Sequence, residues 1–416
     1  MESIKRVFKV GPGPSSSHTI GPFNAAKDFL NQVADFDEVE INLYGSLALT
    51  GKGHGTDKIL LKAFEGKKSK INFNYTFENI KHPNTMDFLA YKNGQLIKRI
   101  RYYSIGGGEI LKEGETSKKP VKVYPFSTFN GLKNYLRKNN LNDISKVVDT
   151  FEKENLDEFL LNIFEAMIFE IENNLEKEGY LPGNLGVKKV AKKIYQNALN
   201  EKDEFEKKIL YITSFAYAVS EGNADGEMVV TAPTCGSAGV LPSILYYEYR
   251  FNNVSEKKIV NALKVAALLT NFVIENASIS GAQLGCQAEI GVASATASGA
   301  LCYIHDLSFY QIEYASELAL EHFLGLTCDP VNGYVQIPCI ERNGIGALRS
   351  LISYIYAKDI SLLRKNKVSF DEVVKAMKIT GESLSKDYKE TSIGGLAKII
   401  QKWKKPAKLN CFAGNF

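Results

Sequence analysis

The sequence predicts an α+β protein: a small α/β domain at residues 1–135, a linker at 136–149 and an all-helical domain at 150–416. Three observations predict this division. Strand and helix signals mix in the first third of the chain, helix spacing dominates after it, and a polar stretch at 138–140 separates the two parts. A chain of 416 residues is long enough for two or three domains.

The N-terminal part carries three local signals. Apolar residues alternate with polar ones at Val39, Ile41 and Leu43, which predicts a half-buried strand. The K-N-G run at 92–94 stands between apolar segments and predicts a hairpin turn. Pro22 opens a helical pattern, and the first turn is the position where a helix accepts proline best.

After residue 150 the apolar residues recur at helix spacing. One such helix is predicted from the apolar residues Leu156, Phe159, Leu160, Ile163, Phe164, Met167, Ile168 and Ile171. The segment 291–301 consists largely of Ala, Ser and Gly. We expect it to be a buried helix whose small side chains let other backbones come close.

Composition excludes several classes of protein. A formal net charge of +4 is too small in so long a chain to indicate nucleic-acid binding. We see no apolar run long enough for a membrane span and no signal-peptide core, so we expect a cytoplasmic protein without a membrane partner. Its six cysteines should then be reduced or bound to metal, and not paired in disulfides.

Five islands rich in glycine and polar residues interrupt these patterns. They occupy residues 11–22, 51–57, 231–239, 280–289 and 325–343. A single island of this kind is often no more than a turn and a helix cap. Two islands here contain histidine and three contain cysteine, and the serines of the first suit a carboxylate-binding nest at a helix start.

The cysteines do not have the short C-x-x-C spacing of a structural zinc site. Cys302 lies in the small-residue helix and is interpreted as a small buried hydrophobe. Cys286, Cys328 and Cys339 lie instead among Gly, Pro and polar residues. Three thiolates would leave one iron of a cubane cluster without a protein ligand, and that iron is able to act as a Lewis acid.

Motifs spread over nearly the whole chain carry a family resemblance. In chain order they are P-S-S-S-H-T-x-G-P, G-K-G-H-x-T-D, S-I-G-G-G, A-P-T-x-G, G-C-Q-x-E, the run from G-L-T-C-D-P to I-P-C-I-E-R-N, and Y-K-E-T-S-I-G-G-L-A. Together they resemble the bacterial iron–sulfur-dependent L-serine dehydratases. The family's beta and alpha parts are here fused in one chain.

The resemblance implies a lyase that converts L-serine to pyruvate and ammonia in serine catabolism and gluconeogenesis. It implies a [4Fe–4S] cluster held by Cys286, Cys328 and Cys339, and a homodimer. It also implies that the N-terminal domain is similar to an allosteric substrate-binding domain of hydroxyacid dehydrogenases. Serine, threonine and cysteine remain open as preferred substrates.

His18 and His54 match the family's two loop histidines, which approach the cluster from the N-terminal domain. Either is a candidate for the base that takes the Cα proton of serine, because imidazole titrates near neutral pH. If they act on serine at the cysteines, the active site lies between the domains. The candidate substrate-binding residues are Ser15, Ser16, Ser17, Thr19, Lys52 and Asp57.

Two cysteines depart from the family pattern. Many members have Asn where this chain has Cys235, whose thiol would line the site or bind iron. Some members insert a C-terminal cysteine into the cluster as a removable fourth ligand. Cys411 is the candidate here, although it lies 411 − 397 = 14 residues beyond Ala397.

Three alternatives remain at this stage. A pyridoxal-phosphate dehydratase would need a Schiff-base lysine beside a Gly-rich phosphate loop, and we find no such context and expect no pyridoxal phosphate. A cysteine desulfidase would use a similar iron–sulfur cluster with an open iron. The relative turnover of serine and cysteine would identify such an enzyme. A non-catalytic serine sensor would bind serine with the cluster intact and form no pyruvate.

Overall fold

The structure, a computed structural model, describes residues 1–401 except 34, 76, 77, 79, 116–120, 153, 154 and 365. Helices make up most of this part of the chain, and most strands lie in its first third. The predicted fold class, a small strand-rich N-terminal domain followed by a mostly helical one, is confirmed.

The regular elements follow one another with short connections. The strands of the described residues are β1 (Val10–Pro12), β2 (Glu38–Tyr44), β3 (Lys68–Asn74), β4 (Thr85–Lys92), β5 (Gln95–Gly106), β6 (Glu109–Lys112) and β7 (Met228–Val230). The α-helices of the same residues are α1 (Gly21–Gln32), α2 (Ser46–His54), α3 (Thr56–Ala63), α4 (Phe129–Lys138), α5 (Ile144–Phe151), α6 (Leu156–Leu175), α7 (Ala191–Asn200), α8 (Glu204–Asp225), α9 (Val240–Phe251), α10 (Glu256–Asn276), α11 (Gly281–Leu284), α12 (Ile290–Ile304), α13 (Phe309–Glu321), α14 (Cys339–Asp359), α15 (Phe370–Ser383) and α16 (Gly395–Gln401).

Strands β2 to β6 form one sheet in the order β3-β2-β4-β5-β6. Strand β2 runs parallel to β3, and the other neighbours are antiparallel. Val39, Ile41 and Leu43 are fully buried while the residues between them are partly exposed, which confirms the predicted strand. These side chains share a core with Phe29 of α1 and Phe88 of β4.

The other two local predictions for this domain are also confirmed. The turn at 92–94 joins β4 to β5, and Asn93 and Gly94 have φ values of 49° and 77°. Positive φ at both central residues is what a type I′ hairpin turn requires. Pro22 lies in the first turn of α1. N–H groups in the first turn have no partner within the helix, so a proline there costs no helical hydrogen bond.

Helix α12 lies at the centre of the helical domain and contacts α9, α10, α13 and α14. Almost all of its residues are buried, as the small-residue pattern predicts. A Cβ added at Gly299 would stand 2.3 Å from Cδ1 of Leu269 and 2.8 Å from Oγ of Ser316. The small side chains of α12 therefore set how closely its neighbours approach.

Helix α10 is apolar and long enough to cross a membrane by length and composition, which the sequence-based expectation overlooked. However, 78% of its apolar window is buried inside the protein. Its Lys264 is 1% exposed and pairs with Asp149 and Asp157, each at 2.6 Å. In this structure α10 is a core helix with a buried, paired charge.

The core of the helical domain extends beyond the predicted boundary. Phe129 of α4 and Ile144 of α5 belong to it, and so do Met1 and Ile4 at the start of the chain. Residues 136–149 include the end of α4 and most of α5, and they contribute buried side chains to this core. The boundaries at 135 and 150 themselves stay predictions.

The predicted all-helical character of 150–416 needs one correction. Strand β7 pairs antiparallel with β1, with Val230 opposite Val10 and Met228 opposite Pro12. A three-residue strand has too little sequence for an alternation signal, and its partner lies more than 200 residues away. This pairing ties the N-terminal loop to the helical domain.

We predict that Phe29→Ala lowers the free energy of unfolding of the sheet domain by about 3–5 kcal/mol. Phe29 is fully buried and makes edge contacts with Phe36, Phe64 and Phe88 at centroid distances of 6.0, 6.1 and 5.5 Å. Phe169→Ala is the control, because Phe169 is 68% exposed and should cost less than about 0.5 kcal/mol. Urea unfolding followed by circular dichroism measures both, and equal effects would contradict this core assignment.

Candidate active site

The three predicted cluster cysteines lie in or beside the connections between helices of the helical domain. Cys286 follows α11 in a short turn before α12, Cys328 lies in the loop after α13, and Cys339 is the first residue of α14. All three are buried, and all three line one cavity. Gly285 has φ of 81°, and a Cβ there would stand 2.7 Å from the carbonyl oxygen of Leu326, so the turn before Cys286 requires glycine.

A glutamate that the sequence analysis did not select stands among these sulfurs. Oε2 of Glu289 lies 3.7 Å from Sγ of Cys286 and 3.9 Å from Sγ of Cys328. Thr234 donates a hydrogen bond of 2.7 Å to Oε1. Burial raises the pKa of Glu289 to about 7, and the charge of Glu390 adds to this shift. Glu289 is the last residue of the G-C-Q-x-E motif, and this motif could have identified it from sequence.

Arg342 is a second residue of the site that the sequence analysis did not select, although it follows Cys339 closely in the I-P-C-I-E-R-N run. Its guanidinium donates to the carbonyl oxygen of Thr327 at 2.8 Å and lies 3.2 Å from Oδ1 of Asp329. Burial lowers its pKa, but the negative charges of Cys286 and Cys339 outweigh burial and raise it overall. A fixed cation therefore faces the cavity beside the sulfurs.

The buried cysteines interact with one another and with Glu289. The sulfur of Cys286 raises the pKa of the Cys328 thiol through a hydrogen bond, and burial raises it further. Burial likewise raises the pKa of Cys339, and the charge of Cys286 adds to the effect. Ligand atoms of Cys286, Glu289 and Cys328 lie within 4.8 Å of one another, a spacing that one metal centre can bridge.

The serine-rich loop lines the same cavity. Ser15, Ser16 and Ser17 all line the cavity, in the single helical turn that precedes α1. Oγ of Ser16 donates to Sγ of Cys235 at 3.4 Å, so Cys235 also faces the site. Thr19 does not line the cavity: its hydroxyl donates to the carbonyl oxygen of Pro12 at 2.8 Å and holds the loop.

Cys235 is buried, and burial raises the pKa of its thiol to about 12. Neutral and in contact with a serine hydroxyl, this thiol lines the cavity in the structure. Whether it also binds iron stays a prediction.

The two predicted histidines are brought together. Their rings stack with centroids 4.7 Å apart, although His18 precedes α1 and His54 ends α2. Nε2 of His18 lies 3.1 Å from Oγ of Ser46 and 2.9 Å from Oγ1 of Thr50, and its Nδ1 lies 2.8 Å from Oγ of Ser17. Burial, and then the charge of His54, lowers the pKa of His18 to about 4.

His54 has a different environment. Its Nδ1 lies 3.1 Å from the carbonyl oxygen of Thr50, and its Nε2 faces Oε1 of Glu390 at 3.5 Å. Glu390 comes from the closing Y-K-E-T-S motif and was also not selected from sequence. Burial would raise its pKa, but the hydrogen bond and charge of His54 lower it overall. Glu390 lines the cysteine cavity, whereas His18 and His54 line two adjacent cavities.

Like Thr19, two further predicted substrate-binding residues lie outside the cysteine cavity. Lys52 is exposed, with Nζ 5.0 Å from the ring centroid of Phe73. Asp57 is in the first turn of α3, where its Oδ1 accepts a hydrogen bond of 2.9 Å from the N–H of Lys58. Cys411, the candidate fourth ligand, lies outside the described residues.

Both domains supply walls of the site. A Cβ on Gly53 would stand 3.1 Å from the carbonyl oxygen of Asn332, so α2 touches the loop between Cys328 and Cys339 directly. Nδ2 of Asn223 in α8 donates to the carbonyl oxygen of Pro14 at 3.3 Å. The predicted position of the site between the domains agrees with these contacts.

Comparison with known proteins places the chain in a family. The family model for the serine dehydratase beta chain matches residues 3–72, and that for the serine dehydratase alpha chain matches residues 67–397. An L-serine dehydratase of Helicobacter pylori is 38% identical, with 96% of this chain and 99% of the relative covered. An L-serine dehydratase of Streptomyces coelicolor is 36% identical, with 95% of this chain and 98% of the relative covered. One of Escherichia coli is 35% identical, with 96% of this chain and 99% of the relative covered. The chain therefore belongs to the serine dehydratase family and carries the family's beta and alpha parts in one polypeptide.

Proposed function

We propose that this chain is an L-serine dehydratase, a lyase that converts L-serine to pyruvate and ammonia. Near-full-length similarity to relatives with that name supports the assignment. The observation that carries it is the convergence of Cys286, Cys328 and Cys339 on one cavity, which a serine-rich loop from the N-terminal part of the chain also lines. We also propose that the enzyme is cytoplasmic and homodimeric, as the resemblance implies.

The proposed cofactor is a [4Fe–4S] cluster held by these three cysteines, without pyridoxal phosphate. Buried sulfurs beside the Arg342 cation form a suitable donor set for a negatively charged iron–sulfur centre. When bound, such a cluster supplies an iron without a protein ligand, which makes the serine hydroxyl a better leaving group. Glu289 lies close enough to two of the sulfurs to contact the cluster or its substrate.

The chain's own residues then bind serine and move its proton. Hydroxyls and N–H groups of the Ser15–Ser17 loop are suited to the substrate carboxylate. A loop histidine is the proposed base, and His54 is better placed than His18. Both ring nitrogens of His18 face hydroxyl groups, whereas Nε2 of His54 has no partner nearer than Glu390 among the described residues.

Loss of the Cα proton leaves its electron pair to form the Cα=Cβ bond while hydroxide departs from Cβ. The product is aminoacrylate, which tautomerises to an imine. Water then hydrolyses the imine to pyruvate and ammonia, and this last step needs no catalytic group.

We predict that Cys286→Ser, Cys328→Ser and Cys339→Ser each abolish cluster binding and pyruvate formation from L-serine. Each change removes a thiolate that the proposal requires as an iron ligand. Iron and sulfide content after anaerobic purification measures this loss. Cys302→Ala is the matched control, because Cys302 is equally buried but lies inside α12, away from the cavity lining. A full cluster in any of the three serine variants would remove that cysteine from the ligand set.

We predict that His54→Ala lowers kcat by about 100-fold or more, the usual scale for loss of a general base. Iron content should stay near the wild-type value, because the histidine holds no iron in this proposal. The comparison variant is His18→Ala, for which we expect a smaller loss of kcat. The assignment fails if His54→Ala loses iron and activity in equal proportion, since that result would indicate a structural role.

A third prediction concerns Cys411 as a removable fourth ligand. Helix α16 begins beside the Cys328 loop, where Oδ2 of Asp329 accepts the N–H of Leu396 at 2.8 Å. If Cys411 caps the open iron, truncation after Leu409 should speed both activation by serine and inactivation in air. Activity time courses with and without oxygen test this, and unchanged behaviour would leave Cys411 without the role.

A further inference from the structure

Three polar side chains share one face of helix α2. Ser46, Thr50 and His54 follow one another at intervals of four residues, and side chains at this spacing lie next to each other on a helix. His18, which follows the serine-rich loop, meets the same face, with its ring stacked on that of His54. A single short helix therefore contacts both histidines.

Thr50 is the residue of this face that contacts both imidazole rings. Its Oγ1 lies 2.9 Å from Nε2 of His18, and its carbonyl oxygen lies 3.1 Å from Nδ1 of His54. The hydroxyl of Thr50 donates its proton to the carbonyl oxygen of Ser46 at 3.0 Å, so it presents a lone pair to His18. One residue thus accepts a hydrogen bond from each histidine.

The contact with His54 determines which of its two nitrogens is free. A carbonyl oxygen can only accept, so Nδ1 of a neutral His54 carries the proton. Nε2 has no partner nearer than Glu390, at 3.5 Å, among the residues that the structure describes. The backbone of Thr50 therefore favours the tautomer in which Nε2 is able to accept a proton.

His18 is held from both sides. Its Nδ1 lies 2.8 Å from Oγ of Ser17, a residue of the cysteine cavity, and its Nε2 faces the hydroxyls of Thr50 and Ser46. Burial, and then the charge of His54, lowers the pKa of His18 to about 4, so the ring is neutral at neutral pH. A neutral ring stacks on His54 without repelling the positive charge that His54 gains when it takes a proton.

We propose that Thr50 is a positioning residue: its hydroxyl holds His18, and its carbonyl group together with the stacked His18 ring holds His54 with Nε2 free. This inference rests on the proposed function, in which His54 takes the Cα proton of serine, and names the residue that orients this base. The electron pair of the Cα–H bond forms the Cα=Cβ bond as hydroxide leaves Cβ. The proton held by Nε2 then joins that hydroxide to form water, which restores the neutral imidazole.

The test is a double-mutant cycle of Thr50→Val with His18→Ala. Valine keeps the branched shape and the carbonyl group but removes the hydroxyl, so kcat should fall by about tenfold, the scale of one lost hydrogen bond. In the His18→Ala background the same change should alter kcat by less than about twofold, because the hydroxyl acts through His18. Iron content should stay at the wild-type value in Thr50→Val, and so should the apparent Kd for L-serine, measured from the change in the cluster spectrum.

Two further variants complete the set. Thr50→Ser keeps a hydroxyl at the same position and should retain kcat within about threefold of wild type. Thr150→Val is the matched control, with a wild-type kcat expected. Oγ1 of Thr150 donates to the carbonyl oxygen of Lys146, four residues earlier, at 2.9 Å, but this threonine is exposed on α5, away from the histidines.

Three results would overturn the inference. They are a wild-type kcat in Thr50→Val, an equal loss in Thr50→Ser, and a loss of the same size with and without His18, which would mean that Thr50 only stabilises α2. A wild-type chain that holds iron but forms no pyruvate from L-serine would instead contradict the proposed function itself. The two failures are therefore distinguishable in one set of preparations.

Discussion

The antiparallel pairing of β1 with β7 is the contact on which the rest of the site depends. It joins the N-terminal loop to the helical domain, and the N–H of Gly13 extends it by donating to the carbonyl oxygen of Glu227 at 2.7 Å. The serine-rich loop begins directly after β1, so its position over the cysteines is set by this pairing. Without it, a cavity with walls from both domains would open to solvent.

Burial gives this arrangement its chemical character. The three thiols and the two histidines are removed from water, and Glu289 is partly removed from it. An unpaired charge is costly in such surroundings. Arg342 lies beside the sulfurs, and Nε2 of His54 lies 3.5 Å from Oε1 of Glu390. A negatively charged cluster would find the Arg342 cation already in place, so binding requires little rearrangement.

Local features of the fold were predictable because their causes are local. The alternation at β2, the turn at 92–94 and the small residues of α12 each determine their structure through neighbouring residues. The family motifs likewise identified the islands that supply the cysteines and serines. Glu390 and Glu289 were not selected because contacts between distant segments bring them to the cysteines and histidines. Lys52 was selected from its motif, and it lines the cavity beside His54, not the cysteine cavity.

The central claim is that the cysteine cavity binds an iron–sulfur cluster and dehydrates L-serine. The most direct measurement is an anaerobic preparation of the full chain, with iron and sulfide counted and pyruvate assayed in the same sample after addition of L-serine. The account predicts roughly four irons and four sulfides per chain, with pyruvate formation that is lost together with the iron under a chelator. Pyruvate formation at an unchanged rate from iron-free protein would contradict it.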